Sequence, residues 1–431
     1  MFWLSQIPAI VKIFLVLGII LTALKLKIPL SVSIIIGAVS LGIFFQMSST
    51  KFINAFLEGA LSLDTISLVF VVTGILILSS SMSVSGRLER IVESFRKLVG
   101  ESRIALVTFP ALIGLLPMPG GAVFSAPMVG AMTENSTLKP HHKTAINYWF
   151  RHIWEYWFPL YPGVILALSL TKIPPWKFIL INFPMTLVSL SVGYFIILRN
   201  VSLSEIKHRD YSTKNVSDFI NELIPILIMV FSLLFFGILF NFVEGKFNFK
   251  SMIFERTPIF IGLIISVSWV AFYDKLKRKS FKKVFLNKSI WEIGFLVIGV
   301  KIFECILKTS GGVGILKEEL LNYKIPALAL IMAIPFITGI ITGIAMGFVG
   351  TSFPIVITLI GTGDIYAFIF IAFVFGFIGM MLSPVHLCLL LTKDYFKASL
   401  IKVYQQYLVP LSFITLVIAI VIFSIYRLFG M

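Results

Sequence analysis

The run Asn147-Tyr-Trp-Phe-Arg151-His152-Ile-Trp-Glu155 sets a guanidinium, an imidazole and a carboxylate inside one apolar stretch of a 431-residue chain. An ionised side chain at the centre of a membrane helix costs roughly 2.5–3.5 kcal/mol on insertion scales, so its presence calls for a partner or a task. Arg151 and Glu155 stand four apart, the spacing that pairs side chains on one helical face. Two readings are open: a structural ion pair beneath a Trp- and Tyr-rich belt, or an anion held by Arg151 while Glu155 or His152 takes a proton. The matching positions in the second half of the chain, near Phe373, Val374 and Phe377, are apolar. That favours the functional reading, because a bare scaffold would not need charges in one half alone.

Other polar residues lie in similarly apolar surroundings. His386 follows Ser383-Pro384 and is either a site residue or a histidine satisfied within the bundle. Lys301 and Glu304, three apart, are either a buried structural pair or, through Glu304, a coupling-ion site. Thr342, Gly343, Gly347, Gly350, Thr351 and Ser352 offer hydroxyls and accessible backbone, although glycines there also serve close helix packing. Cys305 and Cys388 both fall inside apolar runs and read as reduced structural thiols, so neither a disulfide nor a metal centre is expected. Tyr273-Asp274, Gly361-Thr-Gly-Asp364 and Pro326-Ala-Leu328 mimic the motifs of intramembrane aspartyl proteases. Their order is wrong for that chemistry, and no HExxH, P-loop or GxSxG motif offers another.

The elements that would position these residues are broken membrane helices. Ile104 to Met132 is apolar throughout, yet as one helix it would measure roughly 43 Å, too long for a hydrocarbon core of about 30 Å. Pro117, Met118, Pro119, Gly120 and Gly121 split it into two short arms that read as a re-entrant hairpin. Non-helical backbone at that depth is tolerated only where protein buries it or it lines a cavity, so a polar cavity near the midplane is implied. The N–H groups that open the second arm, around Ala122 to Ser125, suit an anionic ligand. Pro119, Gly120, Gly121 and Ser125 thus join the candidate substrate site.

An offset of 225 residues superposes Gly74 on Gly299, Ser85-Gly86 on Ser310-Gly311, Glu93 on Glu318 and Pro110 to Gly114 on Pro335 to Gly339. With small slips the match runs on to Pro162 and Pro384, each followed by a Leu-Thr-Lys segment, and so describes an internal repeat. A second hairpin is expected at 327–360.

With 58% hydrophobic residues and a mean hydropathy of +1.00, the chain reads as an all-α polytopic membrane protein with no soluble domain. The net charge of +16 lies in short loops between spans, which points to the positive-inside rule rather than to nucleic acid. Ten full spans are predicted at 7–24, 29–46, 61–82, 144–171, 178–198, 217–242, 257–273, 289–308, 364–392 and 403–427. Pro159, Pro162 and Pro384 should break two of them. Between Ser85 and Gly100, Leu88, Ile91, Val92, Phe95 and Leu98 face away from Arg87, Arg90, Arg96 and Lys97, as in an interfacial helix. The organisation read from this is N-terminal scaffold spans (1–60), a first repeat (61–200), scaffold spans with basic cytoplasmic loops (201–288) and a second repeat (289–431).

Lys and Arg collect on one side of the membrane if both hairpins return to the side they entered, and divide almost evenly if both cross. The re-entrant arrangement places both termini outside. Five full spans then separate Ser85 from Ser310, an odd number, so the two repeats are inverted, as in secondary transporters.

Pro117-Met-Pro-Gly-Gly121 with Ser125-Ala-Pro127, Asn147 to Glu155, and Ser383-Pro-Val-His-Leu-Cys388 resemble, over the whole chain, an uncharacterised family of prokaryotic integral membrane proteins within the ion transporter superfamily. That superfamily includes gluconate permeases, dicarboxylate transporters and sodium/proton antiporters. The resemblance implies inverted repeats with hairpins, elevator-type movement, a homodimer and a prokaryotic plasma membrane. The Ser-Asn-Thr tip motif of the divalent-anion/sodium symporters is absent from this chain. The expectation is an ion-coupled permease for a small organic anion, with a proton or sodium ion as coupling ion and no cofactor. A cation/proton antiporter is the rival within transport, and a membrane-embedded enzyme the rival outside it.

The topology is testable by site-directed labelling. Cysteines introduced near Ser94 and Ser280 should react only from the cytoplasmic side and one near Asn322 only from outside. Labelling of 94 and 322 from the same side would sink the inverted arrangement.

Overall fold

The computed structural model describes residues 6–99, 103–115, 117, 120–134, 136–199, 201, 213–247, 252–360 and 364–430, and every regular element among them is helical. Two helices open the chain, α1 (Ala9–Lys25) and α2 (Leu30–Phe44), each preceded by a proline that supplies the extended entry residue. Then come α3 (Ser49–Leu61), α4 (Leu63–Val84), the amphipathic α5 (Arg87–Val99) and a pair of short apolar helices, α6 (Arg103–Gly114) and α7 (Ala122–Met132). Next, α8 (Pro140–Arg151) gives way to turns from His152 to Leu160 before α9 (Pro162–Thr171) begins. A long α10 (Pro175–Leu198), containing one π turn, completes this half.

After α11 (Thr213–Phe247), α12 (Met252–Tyr273) and a short basic helix, α13 (Arg278–Phe285), a second run of helices follows. It comprises α14 (Lys288–Thr309), α15 (Gly312–Asn322), the pair α16 (Ala327–Thr342) and α17 (Ala345–Leu359), and α18 (Ile365–Met381). A break follows, then α19 (Leu387–Phe396) and α20 (Leu400–Leu428). The stretches 49–84, 175–198, 216–233 and 400–428 are long and apolar enough to cross a membrane. Many others, including the two hairpin pairs, are apolar but shorter, as breaks at Pro and Gly dictate. This is a helical membrane protein.

Two elements depart from the sequence reading. Residues 49–61, expected as a connection, form α3. Its N-terminus is capped by Ser48 Oγ, and Gly59 packs so closely on α14 that a methyl there would stand 2.6 Å from Ile302 Cα. Residues 278–285, expected as basic loop, form α13 with Val284 as its buried anchor. In both cases a short apolar face becomes visible only against the helix that covers it.

Small residues set the helix spacing elsewhere. A methyl on Gly339 of α16 would overlap the Gly376 carbonyl of α18, and one on Gly379 would overlap the Phe336 carbonyl. Such close backbone approach is the main source of attraction between helices where lipid removes the hydrophobic incentive.

One ion cluster ties α5 to the scaffold. The fully buried Arg87 donates through Nε and Nη2 to Asp274 Oδ2 and Oδ1, both at 2.8 Å, and through Nη1 to the carbonyls of Asn221 and Glu222. Arg90 adds Glu222 Oε1 at 3.0 Å and Asp274 Oδ1 at 2.7 Å. A bidentate pair of this kind is weak evidence of net stability, but losing one partner strands a buried charge at a cost of roughly 3–5 kcal/mol. Arg87→Ala and Asp274→Ala should each lower the unfolding midpoint strongly, and the double variant should cost clearly less than their sum. Additive losses in a thermal-unfolding cycle on the detergent-purified protein would show that the two charges do not depend on each other.

Candidate functional site

The α8 helix stops at Arg151, and the chain continues in turns that include Pro159 until Pro162 opens α9. The carbonyls released at its end are taken up locally. Tyr148 O accepts from the His152 ring Nδ1 at 2.6 Å, and Trp149 O accepts from His152 N at 3.3 Å. In the other half the chain leaves helix after Met381. Tyr148 Oη donates to Met381 O at 3.0 Å and Tyr404 Oη to Leu382 O at 3.1 Å.

The two hairpins close over these breaks. A methyl on Gly114, at the end of α6, would overlap the Arg151 carbonyl, and Tyr161 Oη donates to Gly114 O. A methyl on Gly121, at the start of α7, would overlap the Arg151 guanidinium. Gly120 has φ +73° and lies beside Leu387 and Leu391 of α19. The tip of the second hairpin is Gly343, with φ +64°, a left-handed residue that ends α16 and backs on Ser383 Oγ and His386 N. Gly163, at the start of α9, packs on Ala345 at the start of α17. Each hairpin thus touches both broken helices.

Inside this knot the charged residues are shielded from solvent. Arg151 is 3% exposed, His152 1% and His386 6%. His152 Nε2 and His386 Nε2 are 3.2 Å apart although 234 residues separate them in sequence, and their rings meet edge to face. Glu155 Oε1 lies 3.8 Å from His152 Nε2. The guanidinium of Arg151 is within hydrogen-bonding reach of Cys388, whose sulfur shares a pocket with both imidazoles. Ser125 Oγ and Asn147 Oδ1 are buried without a hydrogen-bond partner among the described residues, while Asn147 Nδ2 donates to Thr392 Oγ1 at 2.9 Å.

Residues 7–426 match the family described as Protein of unknown function (DUF401). The chain belongs to the DUF401 family. No curated protein matches it.

For this DUF401 protein the predicted site residues divide into three groups, apart from Ser125, which is buried on the first turn of α7 without a hydrogen-bond partner among the described residues. Arg151, His152, Glu155, Gly120, Gly121, Gly343 and His386 are brought together at the breaks. Pro119, with Met118, lies outside the described residues. The rest are used otherwise. Thr342, Thr351 and Ser352 donate to carbonyls of their own helices, those of Thr338, Gly347 and Phe348, because a hydroxyl in an apolar helix takes the nearest acceptor. Glu304 is held by Lys301 at 2.6 Å and Lys308 at 2.5 Å, and Lys301 also meets Asp64 at 2.9 Å. That network joins α14 to α4 and makes Glu304 a structural partner rather than a member of the cluster.

Two further corrections concern pairing. The four-residue spacing of Arg151 and Glu155 matters only on a continuous helix, and α8 ends at Arg151, so the Glu155 carboxylate turns toward His152. Among the described residues the expected polar cavity is closed, with hairpin glycines packed directly on the breaks. Cys388 was missed as a site residue. Its one sequence signal is its place two residues beyond His386, just after the Pro384 break. The aspartates of the protease-like motifs sit with separate cations, Asp274 with Arg87 and Arg90, and Asp364 with Arg427 at 2.7 Å.

The glycine contacts make a graded prediction. Gly114→Ala collides with backbone and should markedly lower the unfolding temperature, whereas Gly121→Ala meets only the far end of the Arg151 side chain and should fold with a smaller loss. Equal losses in thermal unfolding would mean that Arg151 is as rigidly held as the main chain.

Proposed function

We propose that this chain is a secondary transporter that carries a small organic anion, such as a carboxylate, by alternating access in the prokaryotic plasma membrane. One observation carries the reading: the Arg151 guanidinium, buried where two broken helices meet, rests on Gly121 at the N-terminal opening of α7. A fixed cation and the partial positive charge of a helix start then act on the same point, where low dielectric strengthens attraction for an anion. Arg suits a carboxylate better than Lys because its planar fork donates two parallel hydrogen bonds.

The same reading takes the two halves as inverted repeats. Left-handed residues at Gly86 and Gly311, and at Lys172 and Lys397, fall at the 225-residue offset found in the sequence, and both halves run in the same order of helices. Inverted repeats around a fixed midplane site support elevator-type movement, with kinship to the ion transporter superfamily, a homodimeric assembly and both termini outside. The closed packing around Arg151 corresponds to an occluded state.

Coupling falls to Glu155. An anion that engages Arg151 draws on the same positive charge that favours a carboxylate nearby, and so shifts Glu155 toward its protonated form. Substrate and proton are linked by electrostatics, without a dedicated contact. A cation/proton antiporter is the second reading, favoured by the close grouping of Glu155 with two imidazoles.

Uptake of carboxylates into proteoliposomes under imposed pH and sodium gradients tests these readings together. Arg151→Lys should weaken substrate affinity by about tenfold or more, in line with the 1.5–3 kcal/mol of a charge-assisted hydrogen bond, while leaving folding nearly intact. Glu155→Gln should retain substrate exchange and lose proton-driven accumulation. Unchanged affinity in a folded Arg151→Lys protein would remove the anion reading, and accumulation by Glu155→Gln on a pH gradient would clear Glu155 of the coupling role.

A further inference from the structure

We propose that His152, His386 and Cys388 form a binding site for a divalent cation of the zinc class, which bridges the two chain breaks. One ligand atom from each of the three side chains lies within 4.8 Å of the others, and all three residues are buried. The two Nε2 atoms are 3.2 Å apart. Two nitrogens on a tetrahedral zinc, each about 2.05 Å from the ion, stand about 3.3 Å from one another, so the imidazoles already have the spacing the ion requires.

The protonation pattern agrees. A carbonyl oxygen only accepts, so the His152 Nδ1 that bonds Tyr148 O at 2.6 Å must carry the hydrogen. That fixes the tautomer whose Nε2 lone pair faces His386, the arrangement in which an outer carbonyl orients a metal-binding histidine. Without an ion, His386 Nε2 donates to that lone pair at 3.2 Å, and because His386 Nδ1 is buried with no hydrogen-bond partner among the described residues, its hydrogen can move to Nδ1 and leave Nε2 to the ion.

The donor set selects the ion. Two imidazole nitrogens and a sulfur suit zinc and its borderline neighbours, not sodium, magnesium or calcium, which take oxygen. Imidazole and thiolate bind an ion only in their deprotonated forms, so affinity should fall as the pH is lowered. Glu155, 3.8 Å from His152 Nε2, is the carboxylate within reach of a fourth position. Because His152 comes from the first break and His386 with Cys388 from the second, a bound ion would tie the two broken helices together. The proposal does not rest on the anion reading, since its three ligands, His152, His386 and Cys388, are not the residues that bind the anion there, and it is measured without a transport substrate.

Cobalt(II) titration of the detergent-purified full chain is the test, since cobalt occupies zinc sites and a cobalt–thiolate bond gives a near-ultraviolet charge-transfer band. The wild type should show the band at one ion per chain and lose it when zinc is added. Cys388→Ser, nearly unchanged in volume, should abolish the band. His386→Gln should weaken cobalt affinity by at least about tenfold, the range that loss of even an outer-shell partner produces. Cys305→Ser should leave both band and affinity unchanged. The proposal is overturned if the wild type gives no band, if the band survives in Cys388→Ser, or if it is lost in Cys305→Ser. The wild-type and Cys305→Ser arms decide even if another variant fails to fold.

Discussion

Wherever backbone leaves a helix inside an apolar interior, its N–H and C=O groups need partners that lipid cannot give. The rest of this architecture depends on how that demand is met at two places, after Arg151 and after Met381. In the first, an imidazole returns to the helix it terminates. In the second, two tyrosine hydroxyls reach across to the freed carbonyls of Met381 and Leu382. The side chains that satisfy the backbone are therefore drawn into the centre, along with the charged residues that follow them. The candidate cluster and the repair of the backbone occupy the same ground.

Glycine makes the arrangement possible. The hairpins can cover the breaks only because Gly114, Gly121 and Gly343 bring backbone against Arg151 and the 383–386 turn with no side chain between. Gly343 has the further task of turning left-handed, which any L side chain resists. Close packing shields the cluster from water and so raises the strength of each electrostatic contact within it. With packing this close, the proposed anion would reach Arg151 only if a hairpin moved. An opening of that sort is what alternating access would require.

Charges away from the cluster serve a different end. Arg87 with Asp274, and Glu304 with Lys301 and Lys308, bind one helix to another or to itself with every buried charge compensated. Arg151, the last residue of α8, and His152 and Glu155, on the turns after it, sit instead at the break itself.

The sequence by itself determined the class and the punctuation. Its apolar content set a helical membrane protein, and Pro with Gly set the hairpins at 104–132 and 327–360 within a residue of where the helices lie. It also determined that Pro159, Pro162 and Pro384 would interrupt two spans, because proline's missing N–H acts locally whatever surrounds it. Tertiary structure alone decided that α3 is a helix, that Arg87 pairs with Asp274 across 187 residues, and that Glu155 faces His152. It alone decided that His386 and Cys388 meet His152. Contacts of that range arise from how the hairpins fold back over the breaks, and no spacing along one segment encodes the distance between two others.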